Sequence, residues 1–267
     1  MKYEALLQKV IRVVESAGEH LITEWQRPDG PRGSGDKADV DIEIESQLRP
    51  ELLSLLGCDF WGEETGFNLT GAEYCWVVDP NDGTADFLRG LKGSAISVGL
   101  LKNARPVLGV VYAPVLYNRP PDCIAWAEGM PFIQRNGEPV TAMLTDHDLT
   151  ESSKVMVSSA AQSKPEVNSE LCAPGAFVPM PSIAYRLARV AAGDGAAAVS
   201  LYPVSAHDVV AGHALLIGAG GVLLNQEGNA ISYTTEASMK TVSQRCFGGA
   251  PSACNALVSR NWDKVFE

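Results

Sequence analysis

Leu6, Leu7, Val10, Ile11, Val14, Ala17, Leu21 and Trp25 recur every three or four positions, so the chain opens with an amphipathic helix over residues 3–25. A loop rich in glycine, proline and charge, RPDGPRGSGDK (27–37), follows and is expected to be mobile. A second helix is predicted from about Asp39 to Leu56. The pattern then shortens to β runs: CDFW, YCWVVD, SAISVGLLKN, PVLGVVYAP and CIAWAEG, with NARP and RNGEP as turns. Helices followed by a meander predict an α+β arrangement for residues 1–150.

Beyond residue 150 strands and helices alternate. KVMVSS, AAAVSLY and VLLN read as strands. SIAYRLARVAAG, AHDVVAGHALLIGAGG and SACNALVSR read as helices, with Ser182 as an N-cap and Gly193 as a stop. Residues 151–267 are therefore expected to form an α/β half. No repeat, low-complexity tract or free linker separates the halves, so they are expected to share one rigid interface.

Hydrophobic residues make up 46% of the 267, the ordinary share for a globular chain. No apolar run approaches the ~18 residues of a membrane span, and the N-terminus lacks the apolar core of a signal peptide. Lys plus Arg number 21 and Asp plus Glu 32, giving 21 − 32 = −11. That charge argues against a nucleic-acid polymer or an anionic membrane as partner. It leaves room for a small anionic substrate, because a bound cation reverses the local field. The six cysteines are scattered without a CxxC pair, so a zinc site is not expected; they read as reduced thiols of a cytoplasmic protein, with Cys75 in strand core.

The chemistry concentrates in WVVDPNDGTADF (76–87). Pro80 is expected to stop the strand that carries Asp79, and Gly83 and Thr84 to open a short helix. Asp79, Asp82 and the Asn81 carbonyl offer hard oxygen ligands suited to Mg²⁺, and the amides of Gly83 and Thr84 can hold a phosphate oxygen. An Asp-rich surface turn is the plainer alternative. Glu63 and Glu64 follow a short strand, Asp208 lies in the first turn of a helix, and Asp39 and Asp41 begin another. Each of these is commonly a turn or cap residue. Together they place acids at four element ends.

In order and spacing, GEE, WVVDPNDGTADF and HDVVAGHALLIGAGG resemble the inositol monophosphatase family of lithium-sensitive, Mg²⁺-dependent phosphatases. The resemblance spans nearly the whole chain. It implies a layered αβαβα sandwich of the inositol monophosphatase/fructose-1,6-bisphosphatase type, a phosphomonoesterase acting through two or three Mg²⁺ ions, and a small phosphorylated substrate. It leaves a homodimer open. Glu63, Asp79, the Asn81 carbonyl, Asp82 and Asp208 match metal ligands. Thr84, backed by Glu63 or Asp39, matches the group that orients the attacking water. Gly83 and Thr84 match phosphate-binding amides, and Asp208 also faces substrate. Ser182, Tyr185 and Arg186 lie on the helix that lines the substrate side, Arg186 as a second-phosphate ligand or a surface ion pair. Glu64 supports the ligands from behind. Cys75 and Ser205 need not be catalytic.

Three departures from the family pattern matter. GDKAD stands where the family has VTxAD, which puts Asp39 in doubt and leaves Asp41 as the fallback. His207 replaces a tryptophan, either to pack or cap or to touch substrate. VSLYPVSAHD lacks the glutamate that takes sugar hydroxyls in inositol monophosphatases, while LYP and AGHA resemble the 3'(2'),5'-bisphosphate nucleotidase branch. A bisphosphonucleotide substrate is the preferred expectation. Inositol phosphate or another sugar phosphate, fructose 1,6-bisphosphate included, is the alternative. A non-catalytic metal or phosphate sensor is the reading from another class. Arg89 and Lys92 read as substrate approach or solvated surface.

Overall fold

The computed structural model describes residues 3–145 and 148–267. Helix α1 (Tyr3–Trp25) buries Leu7, Val10, Val14, Ala17 and Leu21, the stripe their spacing predicts. The loop after it is tied down, which corrects the expectation of mobility. Arg32 donates from its backbone N–H (2.6 Å) and from its guanidinium (2.7 Å) to the buried Glu24 carboxylate. The loop then closes as a hairpin of β1 (Gly33–Ser34) and β2 (Lys37–Ala38). Helix α2 (Asp39–Leu55) packs on α1 and buries Ile44, Leu48 and Leu52.

Strands β3 (Asp59–Gly62), β4 (Phe67–Asn68) and β5 (Tyr74–Asp82) precede the one-turn helix α3 (Thr84–Leu88). From β5 an antiparallel meander continues through β6 (Ala95–Lys102), β7 (Arg105–Ala113) and β8 (Asp122–Ala127) to β9 (Ile133–Arg135) and β10 (Glu138–Val140), with the RNGEP turn between the last two. The eight strands lie in the order β10-β9-β8-β7-β6-β5-β3-β4, and β3 runs parallel to β5. Pro80 does not end the ladder as expected. Strand β5 continues to Asp82 through a bulge, with Asp79 opposite Ser97 and Asp82 opposite Ala95.

The remaining chain forms β11 (Lys154–Ser158), α4 (Pro165–Cys172), β12 (Ala176–Met180), α5 (Ile183–Ala191), β13 (Ala197–Ser200), α6 (Ala206–Gly218), β14 (Val222–Asn225), α7 (Glu236–Lys240), β15 (Cys246–Gly249) and α8 (Pro251–Val258). Its five strands order as β12-β11-β13-β15-β14. Helix α4 and strands β12 and β15 are additions to the sequence reading. The CFGG of β15 has no alternation to betray it.

Helices α5 and α6 pack against both sheets, α1 and α2 cover the outer face of the first, and α4 and α8 lie on the second. The layers are αβαβα, and two apolar cores fill them. The six cysteines are unpaired and five are buried. Among the described residues no helix is long and apolar enough to cross a membrane.

Candidate active site

Three local devices bring distant acids together. The first is the parallel pairing of β3 with β5. Gly62 lies opposite Val78, so the next residues, Glu63 and Asp79, leave the carboxyl ends of neighbouring strands side by side. The second is the bulge in β5. Successive residues of a regular strand face opposite sides, so positions three apart would point away from each other. Three steps on β5 here match two on β6, and the extra residue turns Asp79 and Asp82 to one side. The third is the seating of α6. Ser97 on β6 donates to the His207 carbonyl at 3.2 Å, which fixes the first turn of α6 beside β5 and delivers Asp208.

Carboxylate oxygens of Asp79, Asp82 and Asp208 lie within 4.8 Å of one another. A second group of the same span joins Glu63, Asp79 and His207. Each acid is aimed by a hydrogen bond. Asp79 accepts from the Asn81 N–H at 2.8 Å, and Asp208 from the Ser205 N–H at 2.5 Å. Asp82 accepts from the Ser182 hydroxyl and the Ala184 N–H, both at 2.6 Å, at the start of α5. Ser182 caps that helix from a left-handed φ of +29°, a conformation rare for a residue with a side chain and held here by its contact with Asp82.

Burial makes ionisation of this cluster costly. It pushes Glu63 up to about 7, and Asp82 and Asp208 up to about 6. Burial, followed by the charges of Glu63, Asp82 and Asp208, holds Asp79 well above the usual carboxylate range. Buried side-chain polar atoms without a partner among the described residues are Asn81 Oδ1, Arg186 Nε and His207 Nδ1, all at or beside this cluster. Buried polar atoms are ordinarily paired. Crowded carboxylates that resist ionisation, beside unpartnered polar atoms, fit a divalent cation bound by oxygen ligands.

Thr84 has a partner the sequence reading ranked second. Its Oγ1 lies 3.0 Å from Asp41 Oδ2 and 2.9 Å from the Asn81 carbonyl. Asp41 also accepts from Asn81 Nδ2 at 2.9 Å and from the Ala38 N–H at 3.2 Å. Burial raises Asp41 to about 6. Asp39, expected in this role, is exposed at the start of α2, so Asp41 takes the position beside Thr84. Gly83 must be glycine: its φ is +97°, and an added Cβ would lie 3.0 Å from the Ser182 nitrogen.

Glu45 was missed altogether. Fully buried, it accepts from the Glu64 N–H (3.0 Å), the Thr65 N–H (2.7 Å) and the Thr65 hydroxyl (2.5 Å), and so shapes the turn that carries Glu63. A Cβ on Gly62 would collide with Glu45 Oε1 at 2.1 Å. Glu64 is half-buried and reaches this support through its backbone.

Two residues expected on the substrate side are committed elsewhere. The Tyr185 hydroxyl donates to buried Asp122 at 2.6 Å, in an ionic network with Arg135, Asp194 and Arg189. Arg186 is 4% exposed and donates to the Val199 carbonyl at 3.0 Å. Its buried charge acts on Asp82 and favours that carboxylate's ionised form, so the expectation of a surface ion pair is corrected. Arg89 pairs with Asp86 and is exposed. Lys92 lies over the rings of Trp25 and Tyr117. A cavity of about 550 Å³ near Gly193–Ala196 is lined by none of Glu63, Asp79, Asp82 and Asp208, so the chemistry and not cavity size designates the site.

Fold and acids together define a class: a five-layer sandwich with a carboxylate centre, buried at Asp79 and Asp82 and open at Glu63, at the carboxyl ends of two parallel strands. A model of the inositol monophosphatase family matches residues 4–260, and the chain belongs to that family. It is 38% identical over 76 residues to the fructose-1,6-bisphosphatase/inositol-1-monophosphatase of Aquifex aeolicus, covering 28% of this chain and 29% of that one. It is 34% identical over 120 residues to the 3'(2'),5'-bisphosphate nucleotidase CysQ of Aggregatibacter actinomycetemcomitans, covering 42% and 44%. The matched stretches thus span less than half of either relative. The solved inositol monophosphatase of Anabaena (Nostoc) sp. PCC 7120 superimposes with a TM-score of 0.74 at 22% identity, over 97% of this chain and 95% of that one. That likeness shows the fold.

Proposed function

We propose that this protein is a magnesium-dependent phosphomonoesterase that hydrolyses a small phosphate ester with an activated water. The observation that carries the reading is the convergence of Asp79, Asp82 and Asp208 within 4.8 Å, next to a threonine hydroxyl held by Asp41. Glu63, Asp79, the Asn81 carbonyl, Asp82 and Asp208 would hold the ions, two or three in number. Bound there, a divalent cation supplies charge neutralisation for the phosphoryl group and a lowered pKa for water. The chain's own part is positioning and proton handling. With Asp41 ionised, the Thr84 hydroxyl donates its hydrogen bond to Asp41 Oδ2, which leaves an Oγ1 lone pair free to accept a hydrogen bond from the attacking water. The Gly83 and Thr84 amides face the phosphate, Ser182 holds Asp82 beside them, and positioning with electrostatics carries the rate, without a covalent nucleophile. Lithium would compete for an ion site.

Within this reading the favoured substrate is a nucleoside 3',5'-bisphosphate. Two features support it. The segment Val199–Ala206 before Asp208 has no acid to take sugar hydroxyls. A cavity of about 160 Å³, with Val157, Leu201, Tyr202 and Phe266 in its wall, opens at the carboxyl ends of β11 and β13. Tyr202 and Phe266 stand edge to face at 5.7 Å, a surface suited to a flat base. Ser159, within this wall segment of chain, donates to Asp86 at 2.6 Å, two residues beyond Thr84. The sugar-phosphate alternative rests on the name of the Aquifex relative.

The test is phosphate release with Mg²⁺ from adenosine 3',5'-bisphosphate, inositol 1-phosphate and fructose 1,6-bisphosphate, with Asp82→Asn as control. The highest kcat/KM is expected on the bisphosphonucleotide, and the variant is expected to be inactive on all three. Release from the inositol ester alone would reverse the substrate assignment. Undiminished release by the variant would remove the site.

A further inference from the structure

His207 is an unusual histidine. It is mostly buried, its side chain only 16% exposed, yet neither ring nitrogen makes a hydrogen bond among the described residues, and Nδ1 is fully enclosed. Nε2 faces the acids: it lies 3.9 Å from Glu63 Oε1 and 3.8 Å from Asp208 Oδ1, and a ring nitrogen of His207 lies within 4.8 Å of carboxylate oxygens of Glu63 and Asp79. These separations are too long for hydrogen bonds. They suit two ligands of one ion: donors about 2.1 Å from an octahedral metal lie about 3 Å apart when adjacent and about 4.2 Å apart when opposite. The backbone that carries the ring is fixed, because Ser97 holds the His207 carbonyl at 3.2 Å and the residue belongs to the first turn of α6.

We propose that His207 Nε2 is a ligand of the cation held by Glu63 and Asp79, which makes this centre a mixed nitrogen–oxygen site. The inference rests on the metal-site reading above and adds a ligand to it. Imidazole favours transition metals over magnesium, with affinity rising from Mn²⁺ to Cu²⁺ and falling again at Zn²⁺. The site should therefore accept Mg²⁺ yet bind Mn²⁺ with a preference that an all-oxygen set would not give.

The experiment uses the purified full-length protein, stripped with chelator and titrated with Mn²⁺ by calorimetry. Electron spin-echo modulation of the bound Mn²⁺ then detects directly coordinated ¹⁴N. The wild type is expected to show imidazole nitrogen coupling. His207→Phe is expected to lose it, and to bind Mn²⁺ at least about tenfold more weakly while Mg²⁺ binding changes far less. Tight Mn²⁺ binding without nitrogen coupling would overturn the proposal and leave the carboxylate site standing. Coupling that survives in His207→Phe would assign the nitrogen elsewhere and also overturn it. Failure of the wild type to bind Mn²⁺ or Mg²⁺ would remove both readings, and circular dichroism of each variant checks that it is folded.

Discussion

The Thr84 hydroxyl sits 3.0 Å from the Asp41 carboxylate, across 43 residues of chain, and the same carboxylate holds the Asn81 side chain at 2.9 Å. One acid at the start of α2 therefore holds both the Thr84 hydroxyl and the side chain of the residue between the two β5 carboxylates. Asp41→Asn removes the acceptor for the Thr84 proton. Its kcat with Mg²⁺ is expected to fall on the order of 10²–10⁴-fold with little change in KM. Asp39→Asn, at an exposed site two residues away, is expected to stay within about twofold of wild type. Steady-state kinetics on the best ester measures both. Equal losses would put Asp39 back in the site.

Glu45 supports the turn that carries Glu63, and its loss should act through that turn. Replacing it by alanine leaves the Glu64 and Thr65 N–H groups and the Thr65 hydroxyl without their acceptor. A cost of about 1–3 kcal/mol in folding stability is expected. Mg²⁺ affinity should weaken about tenfold or more, as when outer-shell partners of metal ligands are lost. Denaturant melts and calorimetric Mg²⁺ titration measure the two effects, and unchanged Mg²⁺ affinity would separate Glu45 from the site.

Gly83→Ala forces a side chain into a φ of +97° and against the Ser182 nitrogen. The expected cost is about 1–3 kcal/mol of stability, with a loss of activity larger than that of a surface alanine substitution. A thermal melt matching wild type would show that α3 can shift away from α5 at no cost.

Metal-free stability should fall as pH rises. Glu63, Asp82 and Asp208 have folded-state values of about 7, 6 and 6, above those of an unfolded chain. Between pH ~4 and ~7 the folded protein holds protons that the unfolded chain has released, so the slope of stability against pH from these groups is negative. In chelator, Tm is expected to be lower at pH 8 than at pH 6. Saturating Mg²⁺ is expected to raise Tm more at pH 8, where the carboxylates it binds are ionised. Scanning calorimetry at both pH values, with and without Mg²⁺, checks the sign. A cation effect independent of pH would contradict the raised values.

Much of the acid cluster was legible because its carboxylates sit in short motifs at the ends of elements: Glu63 after β3, Asp79 and Asp82 around β5, and Asp208 in the first turn of α6. The bulge that turns Asp79 and Asp82 to one side was not legible, because it depends on the register of β6. The choice between Asp39 and Asp41 was open to a signal in the sequence that went unused. Asp41 and Glu45 fall on the stripe with Ile44, Leu48 and Leu52, the buried face of α2, and two acids on such a face require partners. Tyr185 and Arg186 could not be placed from local pattern. The partner of Tyr185 is Asp122, 63 residues earlier, and that of Arg186 is the Val199 carbonyl on a separate strand.

The most direct test of the central claim is a crystal of this protein soaked in Mn²⁺, with anomalous difference density measured at the manganese edge. The account predicts at least one strong peak among Glu63, Asp79, Asp82 and Asp208, with carboxylate oxygens about 2.2 Å away. A well-ordered map with those four side chains in place and no peak between them would contradict it.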